Sequence, residues 1–216
     1  MRSFTRIAVA LSYLCASTVM AHPHVRVAYQ VDPVLDASGI RSLQVNWQLD
    51  AMTSAQIREN VDLNKNGVLD PDELQAFAQT NQSLMQHYQY FLTIEEAQSG
   101  KPLNFQVKDF VARDGGRGFQ GGVFLEFTVQ LTADKPLDQV KLQMQDPTWY
   151  IGFQPRLGQV LSSEACASDF TREKRLTVSQ GEQEFQRIHV QCALGSAARP
   201  EAQVSPTIGS INGDNS

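Results

Sequence analysis

The stretch that most constrains this chain runs from Asp62 to Glu73 and reads D-L-N-K-N-G-V-L-D-P-D-E. Side-chain oxygens stand at Asp62, Asn64, Asn66, Asp70 and Glu73, with Gly67 in the middle, which is the spacing of an EF-hand calcium loop. Ca²⁺ is a hard cation that takes roughly six to eight oxygens, so the chain must wrap it and offer an oxygen at nearly every second residue. Gly67 permits the sharp turn that a Cβ would hinder. The Val68 carbonyl would supply the backbone oxygen, Asp70 would act through a water, and Glu73 would close the sphere with both oxygens. Such a loop must be entered from one helix and left by another. The same residues also fit a metal-free helix start, with Asp70 as N-cap, Pro71 at the first helical position and Glu73 at the third. That alternative leaves Asp62 and Asn64 without a role.

The flanks have a different period. Val25, Val27, Tyr29 and Val31 alternate with polar residues, and Leu43, Val45, Trp47 and Leu49 do the same after the turn Asp36-Ala37-Ser38-Gly39. A period of two marks half-buried strands, here a hairpin. Thr53 or Ser54 can then cap a short helix through Ile57 to Val61. Beyond the loop Leu74, Phe77, Ala78, Asn81, Met85, Tyr88 and Phe91 or Leu92 recur at helical spacing, predicting an amphipathic helix of about twenty residues. Alternation resumes afterwards, with strands expected at 91–94, 103–112, 123–131, 140–145, 149–153, 170–178 and 185–192. The fold expected is α+β but mainly β: an antiparallel sandwich-like sheet with a helix–loop–helix inserted at about 52–91.

The chain begins with Arg2 and Arg6, an apolar run from Ile7 to Leu14, and Val19-Met20-Ala21 as a small-x-small cleavage site. This predicts a signal peptide over residues 1–21, export to the periplasm, and one mature domain over residues 22–195. Residues 196–216 read as a disordered tail, poor in apolar side chains. Loss of the leader removes two cations and no acids, taking the formal charge from −5 to −7. An acidic domain repels nucleic acid and suits cations. Cys15 leaves with the leader, so Cys166 and Cys192 remain, and in an oxidising compartment they most simply form one disulfide, worth roughly 3 kcal/mol.

Cleavage after Ala21 would expose His22-Pro23-His24 as a new terminus. A terminal His chelates through its α-amine and ring nitrogen together, and His24 adds a second imidazole, a donor set that suits nickel, cobalt, zinc or copper. Pro23 has no amide N–H, which excludes the copper site that requires one there. The bland alternative is two solvated side chains at a frayed terminus. His87 lies off the apolar stripe of the long helix, and His189 faces away from Ile188, Val190 and Cys192; either could complete a site with His22 and His24. No nucleophile elbow, phosphate loop, dinucleotide glycine pattern or HExxH occurs, so the chain is not expected to be an enzyme. Asp50 serves equally as a helix cap or a functional carboxylate. Asp146-Pro147-Thr148-Trp149-Tyr150 is either a binding edge or a strand packing its rings on the core.

Ala21-His22-Pro23-His24-Val25, Trp47-Gln48-Leu49-Asp50, the 62–73 loop and Asp146-Pro147-Thr148-Trp149-Tyr150 occur in that order. In this the chain resembles an uncharacterised periplasmic family described as a putative component of an ABC-type transport system, often encoded beside nickel/cobalt permeases. Arg26 stands where such proteins commonly carry an aromatic residue. The resemblance implies metal handling, with an inner-membrane metal permease or ABC-type transporter as partner. Two functions follow as expectations. One is a calcium-binding periplasmic accessory to transition-metal transport; the other is a calcium-stabilised interaction module with no transition-metal role.

Overall fold

The computed structural model describes residues 24–37, 39–116, 122–134, 137–156, 165–177 and 181–193. The expected leader, His22 and the tail after residue 193 lie outside these. Nine strands and two helices occur among the described residues. They are β1 (Val25–Asp36), β2 (Gly39–Leu49), α1 (Ala51–Val61), α2 (Pro71–His87), β3 (Leu92–Glu96), β4 (Asn104–Asp114) and β5 (Val123–Thr132). The chain continues with β6 (Gln139–Met144), β7 (Ile151–Pro155), β8 (Cys166–Thr177) and β9 (Gly181–Cys192).

The strands form a five-stranded sheet in the order β4-β5-β2-β1-β7 and a four-stranded sheet in the order β3-β6-β9-β8. The alternation in β1 and β2 places Val27, Tyr29, Val31, Leu43, Val45 and Trp47 inside. Leu125, Phe127 and Val129 of β5 join them, while Leu142, Ile188 and Val190 come from the facing sheet. Trp47 links the layers: its ring packs on Phe127 and Phe153, and its Nε1–H points to Met144 Sδ at 3.2 Å. Burial pushes the Tyr29 phenol well above its usual range.

The first hairpin forms as its alternation requires, with Tyr29 opposite Trp47. Among the described strand pairs all but one are antiparallel. β7 joins β1 in parallel, Val27 opposite Phe153, which a periodicity of two cannot distinguish from antiparallel pairing. Cys166 and Cys192 face each other across β8–β9 and are disulfide-bonded.

The helix–loop–helix enters between β2 and β3, and two sequence expectations fail beside it. The long helix stops at His87 after 17 residues, short of the twenty that the apolar spacing suggested. Gln89, Tyr90 and Phe91 then turn with φ of 50, 53 and 52°, the left-handed region, so Tyr90 and Phe91 drop into the core from a tight reversal. Tyr88, Phe91 and Leu92 mimic helical spacing although they lie outside the helix. The second failure is the strand expected at 149–153: Trp149 and Tyr150 lie in a turn, and β7 starts only at Ile151. Tyr150 is 52% exposed, and the core ring from this segment is Phe153. Among the described residues no helix is long and apolar enough to cross a membrane.

Candidate functional site

Asp50 begins the inserted unit. Its Oδ1 accepts from Thr53 N at 2.9 Å, and its Oδ2 accepts from Arg26 N and Thr53 Oγ1 at 2.8 Å each. Burial alone would raise its pKa, but the hydrogen bonds from Thr53 and Arg26 outweigh that and hold it below the usual aspartate range. Asp50 therefore caps α1 as a charged group. Ser54, fully buried in the first turn, donates to Leu49 O and accepts from Val123 N, which fixes α1 to the ends of β2 and β5.

At the far end of α1 the chain enters the 62–73 loop. Asp62 Oδ1 accepts from Asn66 N at 3.0 Å, and Asp62 Oδ2 accepts from Gly67 N at 2.7 Å. The chain thus folds back over its own first carboxylate. Lys65 and Gly67 supply the reversals, with φ of 58 and 84°. Glu73 Oε1 accepts from Leu63 N at 2.8 Å across the loop, while Oε2 accepts from Asp70 N at 3.0 Å. The amides of Asn64 and Asn66 both donate to Asp70 Oδ2, at 2.7 and 3.0 Å. All five side chains of the pattern are therefore joined within one small ring.

The loop also satisfies the metal-free expectation. Asp70 and Glu73 form a complete capping box at the start of α2, with Pro71 in the first turn. Among the described residues no group of three or more His, Cys, Asp or Glu side chains is gathered as a metal cluster. The three loop carboxylates are instead held by backbone N–H groups and asparagine amides.

Two anchors were not apparent from the sequence. Leu69 is only 4% exposed and pins the loop to the core, while Leu63 and Val68 earlier in the loop are open to solvent. Arg58 donates to both oxygens of Asp114 and to Gly116 O, tying α1 to the end of β4. The Asp114 hydrogen bond raises the Arg58 pKa further, against the opposing effect of burial. A hydrophobic residue inside a loop pattern and an ion pair 56 residues apart leave no periodic signal in the sequence.

The three described histidines are scattered. His24 is exposed at the start of β1, its backbone N–H donating to Tyr150 O at 3.0 Å and its ring 5.1 Å from that of Tyr150. His87 is exposed at the end of α2. His189 lies on the outer face of the four-stranded sheet, with Nδ1 3.5 Å from Asp169 Oδ1 and a buried Nε2 that has no hydrogen-bond partner among the described residues. The described residues bring no two histidines together as a site. Asp146 is buried and structural: it accepts from Thr148 N and Oγ1 and from Ile151 N, shaping the turn that presents Tyr150.

A family described as "Protein of unknown function (DUF1007)" matches residues 7–192. The chain belongs to that family. Comparison with curated proteins finds no match. Among solved structures the chain is similar to AChBP from Bulinus truncatus at 9% identity, over 87% of this chain and 97% of that one. The TM-score is 0.30, too low to define a shared fold.

Proposed function

We propose that this DUF1007 protein is an exported, periplasmic calcium-binding protein that serves as a metal-binding accessory to transition-metal transport. Its 62–73 loop would act as a single EF-hand. Asp62, Asn64, Asn66, the Val68 carbonyl, Asp70 through a water and Glu73 would hold the ion. The observation that carries this is the closure of the loop on itself. Asp62 and Glu73, the first and last positions, both fold inward onto the intervening backbone N–H groups. The donor set is oxygen-only, three of the donors are carboxylates, and Gly67 takes the conformation the loop needs. Bound calcium would offset two of the three negative charges and lock α1 against α2.

Calcium supplies the structural part of this role. For the transition-metal part, the supporting observation is that His24 is anchored through Tyr150 O on an exposed sheet end, so the segment is not frayed there. With His22 it would offer imidazoles to nickel, cobalt, zinc or copper, for transfer to an inner-membrane permease or ABC-type transporter. If the histidines have no such role, the protein is a calcium-stabilised interaction module.

Calorimetric titration separates these outcomes. Ca²⁺ is expected to bind once per chain, with a Kd on the order of 10⁻⁴ to 10⁻³ M as in extracellular modules, and not to bind Glu73→Gln. Ni²⁺, Co²⁺, Zn²⁺ or Cu²⁺ should bind the mature protein and lose affinity in His24→Ala. Equal affinities in the two proteins would remove the histidines from the account.

A further inference from the structure

The outer face of the five-stranded sheet is polar, and one cross-strand row on it runs Gln154, Ala28, Gln48, Phe124, Arg113 from β7 to β4. Ala28 is the one small side chain in that row, and beside it on β7 lies Gly152, opposite Arg26. Small residues among long ones leave a depression of about 460 Å³, with Ala28 and Gly152 in its floor. Arg26, Gln48 and Gln154 form its walls, and Asp50 and Ala51 close it at the start of α1. Gln186 reaches it from β9, where that strand pairs with β8 beyond the contact with β6.

The charge in this depression is unusual for an acidic chain. Arg26 is exposed, and none of the ion pairs among the described residues involves it. Asp50 is the acid nearest to it in the lining, but both Asp50 oxygens are engaged by Thr53 and by the Arg26 backbone N–H. The partial positive charge at the start of α1 offsets part of the Asp50 charge. Arg156, one register step along from Gln154, donates to Gln48 Oε1 and lies over the Phe124 ring, so Gln48 is held in place at the wall. The remaining wall groups are glutamine amides, which can donate to an oxyanion and accept from a hydroxyl or amine beside it.

From this arrangement we propose that the Ala28–Gly152 depression binds a small organic carboxylate. Arg26 pairs with the carboxylate, and the amides of Gln154 and Gln186 fix the rest of the molecule. A guanidinium presents parallel N–H donors that match the two oxygens of a carboxylate. With Arg26 as the one guanidinium in the lining and Asp50 at the rim, the site suits the planar two-oxygen edge of a carboxylate better than a tetrahedral phosphate. It is separate from the 62–73 loop, which lies at the opposite end of α1.

Calorimetric titration of the full mature chain with sodium succinate, inorganic phosphate and neutral succinamide tests this. Succinate should bind saturably and more tightly than phosphate, and succinamide should give no saturable heat. Arg26→Gln should weaken succinate binding by about tenfold or more, the loss of a charge-assisted pair. Ala28→Leu, which fills the floor from the solvent side, should abolish binding with the melting temperature unchanged. Saturable succinamide binding, phosphate binding tighter than succinate, unchanged succinate affinity in Arg26→Gln, or no saturable succinate binding by the wild type would each overturn the assignment. Because neither substitution touches the calcium loop, failure here leaves calcium binding untouched.

Discussion

Gly67 is the residue on which the loop conformation depends most directly. Its φ is 84°, and a Cβ built there would meet nothing within 4 Å, so only backbone strain opposes a side chain. Gly67→Ala should therefore cost about 1 kcal/mol in urea denaturation without calcium, the scale of a left-handed penalty. A loss several times larger would mean that the space around the loop is tighter than described. Asp50 makes a pH prediction. Its folded pKa is lowered, so its contribution is present above the unfolded value near 3.8 and is lost as pH falls through the lower folded value. Asp50→Asn keeps a capping oxygen but removes the charge. Wild type should be more stable than this variant at pH 7, and the two stability curves should converge in strong acid. Parallel curves would contradict a charged cap.

At the scale of elements, Arg58 is one of the links between the inserted helices and the sheet. Its ion pair with Asp114, 2.6 Å long, leaves the two side chains only 14% and 13% exposed. Arg58→Met would strand the Asp114 carboxylate, and about 2–3 kcal/mol should be lost, because removing one partner of a shielded pair leaves an uncompensated charge. A change under about 0.5 kcal/mol would place the pair among ordinary surface contacts. The elements themselves were largely legible from sequence. Val27-Tyr29-Val31 and Leu43-Val45-Trp47 announced their strands because one face is buried and the other is not. Pro71 and the capping residues announced α2. What was not legible depends on contacts between distant segments: the parallel docking of β7, the halt of α2 before Tyr88, and the outward placement of Tyr150. For Tyr88 to Leu92 the apolar spacing fitted a helix by coincidence, while tertiary packing imposed three left-handed residues. The loop pattern was legible in full, whereas Leu69 and Arg58, which fix its place, were not. His22 lies outside the described residues, so the pairing with His24 rests on sequence alone.

Over the whole molecule, two closures act on different parts of the structure. Cys166–Cys192 joins the edge strand β8 to its neighbour β9 in the four-stranded sheet, across a sequence separation of 26 residues. Replacing both cysteines by alanine should lower stability by roughly 3 kcal/mol, read from the urea midpoint at unchanged slope. Calcium, in the account proposed, performs the corresponding task at 62–73, joining α1 to α2 and through Leu69 to the core. A ligand that binds only the folded chain raises its stability in proportion to the logarithm of its concentration over Kd. Scanning calorimetry in several-millimolar Ca²⁺ and in excess chelator, on wild type and Glu73→Gln, measures that directly. The account predicts a melting temperature a few degrees higher with calcium for wild type, corresponding to roughly 1–2 kcal/mol, and no shift for Glu73→Gln. Identical wild-type melting temperatures with calcium and with chelator would contradict it.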